Sequence, residues 1–76
     1  MWEVIGYVAS KTEKGDITSY TLHCKRPLKS TEGSGEKTRT VWYRPIIDYK
    51  PCIGDRIIID EEKRGQYMVV TDIVVI

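Results

Sequence analysis

Within residues 17–26, polar and apolar side chains alternate from Ser19 to Lys25, and this alternation constrains the fold more than any other feature. Tyr20, Leu22 and Cys24 occupy one set of alternate positions, and polar residues occupy the other. Because successive side chains of a β-strand point to opposite faces, the segment predicts a strand with one buried and one solvated face. Nowhere do apolar residues recur at the spacing of an amphipathic helix, so no long helix is predicted.

Four other segments are rich in β-branched and aromatic residues and are bounded by turn-forming residues, which is typical of strands. They are residues 2–10, 38–44, 56–60 and 66–76. Gly6, inside the first segment, predicts a β-bulge. A chain of 76 residues is too short for a second core, so we expect one all-β domain covering residues 1–76.

Five strands in a chain of this length predict a small five-stranded barrel. An OB-fold is favoured, because the first two predicted strands are long and an internal loop follows them. An SH3-like barrel is the alternative, since it also fits a chain of this length. The internal loop, at about residues 28–37, is rich in glycine and serine, so we expect it to be mobile.

The sequence contains no motif of a known catalytic or metal-binding site. His23 is the only histidine, and with Cys24 and Cys52 alone it cannot complete the four ligands of a structural zinc site. Neither cysteine belongs to a CxxC pair, so we expect two free thiols, with a disulfide as the alternative. Cys24 is expected to face the core. We therefore expect a protein that is not an enzyme and has no cofactor or metal.

The localisation is predicted from two features of the sequence. No apolar run approaches the roughly 18 residues of a membrane span. The first residues also lack the basic start and apolar stretch of a signal peptide. These features predict a cytoplasmic protein that does not bind membranes.

Positive charge is concentrated in the middle of the chain, together with aromatic residues. Residues 20–44 contain six lysines and arginines against two glutamates, which leaves +4, whereas the whole chain has a net charge of +1. The aromatic residues are five tyrosines and two tryptophans, whose polar atoms suit a half-exposed surface. Rings interleaved with basic side chains are typical of surfaces that bind single-stranded nucleic acid.

We therefore predict a face that binds single-stranded nucleic acid and select its residues from the basic middle and the last strand. Strand parity places Trp42 and Tyr43 on opposite faces, so one of them should be exposed and the other buried. The alternative for these rings is packing in the core, which is also where we expect Tyr20. The candidate binding residues are His23, Lys25, Arg39, Trp42, Tyr43, Arg44 and Tyr67.

Two stretches of the sequence carry a resemblance to a known family. In residues 15–22 (GDITSYTL) a glycine turn leads into a strand with a Tyr-x-Leu pattern, and in residues 51–76 a turn at Gly54 starts a strand. There, Arg64-Gly65-Gln66-Tyr67 leads into the last strand. These stretches resemble the single-stranded-DNA-binding proteins of filamentous phages and mobile elements, which are small OB-type barrels. The resemblance implies that Tyr20 and Tyr67 lie near DNA.

A second hypothesis is a protein-interaction module, such as a homodimeric assembly protein of a phage or mobile element. Its basis is the last predicted strand, which is apolar on both faces at Val69, Val70 and residues 73–76. Such a strand is either central in a barrel or covered by another chain. The net charge of +1 also suits a protein partner better than a polyanion.

Overall fold

The computed structural model describes residues 1–76 and contains one sheet of five antiparallel strands, which confirms the all-β prediction. The strands are β1 (Trp2–Lys11), β2 (Ile17–Pro27), β3 (Glu36–Tyr43), β4 (Arg56–Arg64) and β5 (Tyr67–Val75). The chain has no helix with the length and hydropathy needed to cross a bilayer.

The strands are arranged in the order β3-β2-β1-β4-β5. The first three strands form a meander, and β4 then returns by a longer connection to lie beside β1. A fourth strand that returns beside the first defines a Greek key. Because β4 pairs with β1 only at Trp2 and Glu3, the β4–β5 hairpin extends past the start of β1. The sheet therefore consists of a three-stranded meander and a two-stranded hairpin, which are joined by backbone pairing only at the start of β1.

The expected barrel is not closed, because β3 and β5 are the two edge strands of the sheet. Their Cα atoms approach within 8 Å, but no backbone ladder joins them. Ile47, after β3, and Val70, on β5, pack against the core and also line the space between the two edge strands. β5 is therefore an edge strand, and the prediction that it is central in a barrel is wrong.

The core lies on the inner face of the sheet and is small, since only 11 of the 76 residues are buried. At its centre the rings of Tyr20 and Tyr43 stack with centroids 5.3 Å apart, and Tyr43 meets Tyr49 at 6.2 Å. The burial of Tyr20 confirms the prediction from strand parity. The other core residues are Val4, Leu22, Cys24, Val41, Ile57 and Ile73.

Two hydrogen bonds satisfy the tyrosine hydroxyls inside this core. Tyr43 donates to the carbonyl oxygen of Tyr49 at 2.8 Å, and Tyr49 donates to a carboxylate oxygen of Asp55 at 2.8 Å. A buried hydroxyl without a partner would be destabilising, so these bonds allow the core to contain tyrosine. Burial raises the pKa of both Tyr43 and Tyr49 above the ordinary tyrosine value.

The β-bulge predicted at Gly6 is confirmed. The register of β1 against β2 shifts between Val4 and Gly6, which leaves Ile5 without a partner on β2. Val4 consequently faces the core while Ile5 is exposed. The extra residue bends β1 at the point where its pairing with β4 ends.

β4 is longer than the strand predicted at residues 56–60, because the charged residues after Asp60 continue the strand as far as Arg64. Arg64 pairs with Tyr67, so the hairpin loop contains only Gly65 and Gln66. Gly65 has a φ of 62° and Gln66 has a negative φ, the pattern of a type II′ hairpin turn. A glycine at the first loop position therefore sets the end of the strand.

The loop between β2 and β3, for which mobility is predicted, contains a set of local hydrogen bonds. Glu32 accepts bonds from Arg26 at 3.0 and 3.2 Å and from the amide of Lys29 at 3.0 Å. The amide of Leu28 donates to the carbonyl of Gly35 at 2.9 Å. The hydrogen bond from Arg26, with that from the Lys29 amide, lowers the pKa of Glu32 to about 2. The mobility of this loop stays a prediction.

Both cysteines are free, but their surroundings differ. Cys24 lies in the core, as expected, and Cys52 is exposed. Burial raises the pKa of the Cys24 thiol, although the nearby charge of Arg39 opposes the effect. No group of three or more His, Cys, Asp or Glu side chains is arranged to hold a metal ion.

Candidate nucleic-acid interface

The side chains that alternate with the core on β2 and β3 form one continuous outer face. The pairing sets these residues directly opposite one another in three rows, each with one residue from each strand. We call this surface the outer-face patch. It consists of the pairs Thr21–Trp42, His23–Thr40 and Lys25–Thr38.

Trp42 is the main aromatic side chain of the patch, and 55% of its surface is exposed. The guanidinium carbon of Arg44 lies 5.7 Å from the centroid of its ring, a cation–π arrangement. Thr21 lies opposite Trp42, and Val8 of β1 lies opposite Thr21. Because these neighbours are small, the ring projects from the sheet and offers a surface on which a base could stack.

His23 is exposed in the middle of the patch. Its Nδ1 atom lies 3.4 Å from the hydroxyl oxygen of Thr40. On the other side it faces Gly6 of β1, where an added Cβ would come within 3.9 Å of the imidazole ring. Glycine at this position leaves the ring uncovered toward β1, so the flat face of the patch continues onto that strand.

Lys25 lies at the end of the patch opposite Trp42 and is already ion-paired. Its amine is 3.2 Å from a carboxylate oxygen of Glu36. The hydrogen bond with Glu36, with the charges of Glu36 and Glu3, raises the pKa of Lys25. This pair is solvent-accessible, and such pairs are weak enough to exchange partners, so a phosphate can replace Glu36.

Arg39, one of the predicted binding residues, lies apart from the patch. It lies on the inner face with Val41 and Tyr43, where its guanidinium pairs with the Glu61 carboxylate. The guanidinium carbon also lies 5.7 Å from the ring centroid of Trp2. These contacts hold Arg39 inside the curled sheet, away from the surface that carries Trp42.

Tyr43 is also removed from the predicted interface, because only 1% of its surface is exposed. The prediction that one of Trp42 and Tyr43 is exposed and the other buried is thus confirmed, with Trp42 outside. Tyr20 is buried too, whereas the family resemblance implies that it lies near DNA. The aromatic contribution of the patch therefore comes from Trp42, with the imidazole of His23.

Tyr67 lies away from the patch, at the start of β5 beside the two-residue hairpin loop. Its side chain is 75% exposed. Its neighbours Arg64 and Met68 line a groove that also reaches Trp42. Tyr67 is thus near the groove but is not part of the wall of this groove.

The groove follows the open seam between β3 and β5 and encloses about 840 Å³. Met68 and Ile46 are exposed apolar residues along it, and the Ile46 side chain is 91% exposed. Its charged side chains are Arg44, Asp48, Arg64 and Asp72. Sequence reasoning identified only Arg44 among these four, because no local pattern indicates that two edge strands distant in sequence approach each other.

Half of the basic residues in the middle of the chain are neutralised by ion pairs. The pairs are Lys25–Glu36, Arg26–Glu32 and Arg39–Glu61. Lys29, Lys37 and Arg44 form no ion pair, and only Arg44 adjoins the patch. The positive potential of this surface is therefore smaller than the sequence predicts.

Comparison of the chain with protein-family models, curated proteins and solved structures gives no match. The resemblance to phage single-stranded-DNA-binding proteins stays a prediction. The basis for a function is the outer-face patch itself, with one projecting indole, one exposed imidazole, three threonine hydroxyls and two cations at its ends.

Proposed function

We propose that this chain is a non-catalytic module that binds single-stranded nucleic acid across the outer face of β2 and β3. The observation that carries the proposal is Trp42, which projects from the patch with Arg44 beside its ring. Single strands are bound where aromatic rings stack with bases and cations contact the backbone. Trp42 and His23 supply the rings, and Arg44 and Lys25 supply a cation at each end.

The strand arrangement supports an OB-fold assignment, which is part of the proposal. An OB-fold is a five-stranded, partly open Greek-key barrel. Oligonucleotides bind to its second and third strands and to its β1–β2 and β4–β5 loops. Here the strand order contains a Greek key, and the seam between β3 and β5 is open. The SH3-like alternative is less favoured, because a Greek key with this open seam matches the OB-fold.

The patch is short, which sets the length of strand it can bind. Thr38 to Arg44 spans six residue steps, or roughly 20 Å along the strand direction. OB-folds bind about 4–16 nucleotides each. A site of this length belongs at the lower end of that range, so a pentamer should be sufficient for binding.

Stacking should dominate the binding free energy, because few cations are available. Stacking contributes about 1–3 kcal/mol per base. Each phosphate neutralised on a single strand contributes roughly −0.7 to the slope of log Kobs against log salt concentration. With Arg44 and Lys25 as the contacting cations, we expect a slope of about −1.4. Binding should therefore weaken only modestly with salt.

The test is a fluorescence-anisotropy titration of labelled oligothymidylate at low and moderate salt. Trp42→Ala should weaken binding about 5- to 150-fold, which corresponds to the loss of one stacked base. Trp42→Phe should retain most of the affinity, since an aromatic ring remains. Tyr7→Ala is the matched control, because Tyr7 is an exposed aromatic residue of β1 outside the patch.

Two results would contradict the proposal. One is the absence of binding up to about 100 μM protein at low salt, where phosphate contacts are strongest. The other is an equal loss of affinity in Trp42→Ala and Tyr7→Ala.

A second candidate function, self-association or binding to another protein, rests on the outer face of β4 and β5. Ile58 lies directly opposite Val74 there, and both are exposed. Ile76, directly after β5, is also exposed, and apolar patches on monomers are often interfaces. Light scattering at increasing concentration tests this, with Ile58→Ser as the variant and Ile53→Ser, exposed on a separate loop, as the control. A monomer at every concentration would exclude self-association.

A further inference from the structure

Trp42 belongs both to the outer-face patch and to the groove between β3 and β5. It is the second-to-last residue of an edge strand, so its ring lies where the outer face ends and the groove begins. A base stacked on this ring would therefore lie beside the polar groups of the groove. The groove is thus placed to distinguish one base from another.

Asp48 is the hydrogen-bond acceptor that is free to contact such a base. Its side chain is exposed on the groove wall, and neither carboxylate oxygen has a hydrogen bond or ion pair with the protein. Asp72 differs, because one of its oxygens accepts a bond from the amide of Ile73 at 2.9 Å. An ionised carboxylate only accepts, and two adjacent N–H donors can pair with its two oxygens.

The groove also contains hydrogen-bond donors, the guanidinium groups of Arg44 and Arg64. Arg64 has a single ion pair, with Glu62 at 3.4 Å, and both of these side chains are mostly exposed. Arginine contacts the O6 and N7 acceptors of guanine as a bidentate pair, which is the commonest base-specific contact of this side chain. Unstacked bases can be contacted on both their Watson–Crick and Hoogsteen edges.

Guanine is the one common base that matches both groups. It has two adjacent donors, N1–H and the N2 amino group, on the Watson–Crick edge, and two acceptors, O6 and N7, on the Hoogsteen edge. We infer that the groove between β3 and β5 is a guanine-binding subsite of the nucleic-acid surface, with Asp48 contacting the Watson–Crick edge. This inference rests on the proposed function.

The experiment compares three pentamers in the same anisotropy assay: all thymine, a central guanine, and a central inosine. Inosine lacks only the N2 amino group of guanine, so it removes one donor to the carboxylate. Guanine should bind about 5- to 150-fold more tightly than thymine, the discrimination of one bidentate contact. Inosine should lose a large part of this preference.

The protein variant is Asp48→Asn, and its matched control is Asp60→Asn. Both substitutions remove one negative charge from an exposed position, but Asp60 lies on β4 opposite Asp72 and does not line the groove. Asp48→Asn should bring the affinities for the guanine and inosine pentamers to the same value. Asp60→Asn should keep the preference for guanine over inosine.

The outcomes separate this inference from the proposed function. If no pentamer binds, the proposed function fails and the subsite fails with it. If the thymine pentamer binds and guanine gives no gain, the subsite is wrong while the proposed function remains. A guanine preference that persists with inosine or in Asp48→Asn would overturn the role of the carboxylate. Circular dichroism verifies that Asp48→Asn is folded, which is expected because the side chain is exposed.

Discussion

Arg39 on β3 forms an ion pair with Glu61 on β4, although β2 and β1 lie between these strands in the sheet. The contact crosses the inner face and is possible only because the sheet curls. Side-chain exposure is 31% for Arg39 and 19% for Glu61, so the pair is largely shielded. No backbone ladder closes the seam between β3 and β5, so this pair joins the two halves of the open sheet through side chains.

We predict that Arg39→Met lowers the free energy of unfolding by about 1–2 kcal/mol, between the values for exposed and buried ion pairs. The loss follows from leaving the Glu61 carboxylate half-buried without its partner. Urea denaturation measures it, and Arg64→Met is the matched control because its pair with Glu62 is exposed. Equal effects of the two substitutions would show that the Arg39 pair does not stabilise the curled sheet.

The tyrosine core gives a prediction that separates packing from binding. Tyr43→Phe keeps the ring but removes the 2.8 Å hydrogen bond to the Tyr49 carbonyl. It should lower the free energy of unfolding by about 1 kcal/mol, the usual effect of one lost hydrogen bond. Oligonucleotide affinity should not change, since Tyr43 is buried. A weaker affinity with an unchanged free energy of unfolding would show that Tyr43 contacts the nucleic acid. Tyr7→Phe, exposed on β1, is the control.

The same core predicts a loss of stability at alkaline pH. Burial raises the pKa of Tyr43 and Tyr49 above the ordinary value of 10.0, so the folded state favours their neutral hydroxyls. Their stabilising contribution is complete below the unfolded-state pKa and is lost as pH rises above it. Absorbance of tyrosinate should therefore show that ionisation of Tyr43 and Tyr49 coincides with the loss of β-sheet circular dichroism. Complete tyrosine ionisation with the sheet intact would contradict this.

The strands could be predicted from sequence wherever the signal was local. Alternation along β2 correctly placed Tyr20 and Cys24 inside, and Gly6 indicated the bulge in β1. The end of β4 was missed because consecutive charged residues resemble a turn, while the turn itself depends on the positive φ of Gly65. Composition describes the solvent exposure of a segment, and it does not determine where backbone pairing ends.

The candidate site was only partly predictable, for a different physical reason. Alternation along β3 puts Arg39 on the same face as Val41, but its partner Glu61 is 22 residues away in the sequence. Asp48 and Arg64 enter the groove because two edge strands approach each other, which depends on the curl of the whole sheet. Such non-local geometry has no signature in a local window, whereas the exposure of Trp42 follows from alternation alone.

Glu32 provides a prediction for the β2–β3 loop. Its pKa is lowered to about 2 by Arg26 and the Lys29 amide, so its stabilising effect is present above the unfolded-state value of 4.5. The effect is lost as pH falls from that value toward about 2. The carboxyl carbon shift of Glu32 in an NMR titration measures this, and a midpoint near 4.5 would contradict it.

Replacing the carboxylate tests the same contacts at neutral pH. Glu32→Gln should speed amide exchange at Lys29 and Leu28, because the bonds that order the loop are weakened. Glu13→Gln, in the β1–β2 loop and without a hydrogen-bonded partner, is the control. If the loop already exchanges freely in the unaltered protein, the predicted mobility is correct and Glu32 does not order it.

The most direct test of the central claim is an NMR map of amide shifts during titration with a short oligothymidylate. We predict that the largest changes occur at Thr21, His23, Thr40 and Trp42, including the indole N–H of Trp42, while Ile58 and Val74 remain unaffected. Changes centred on Ile58 and Val74, or no changes at all at low salt, would contradict the claim that the outer face of β2 and β3 binds single-stranded nucleic acid.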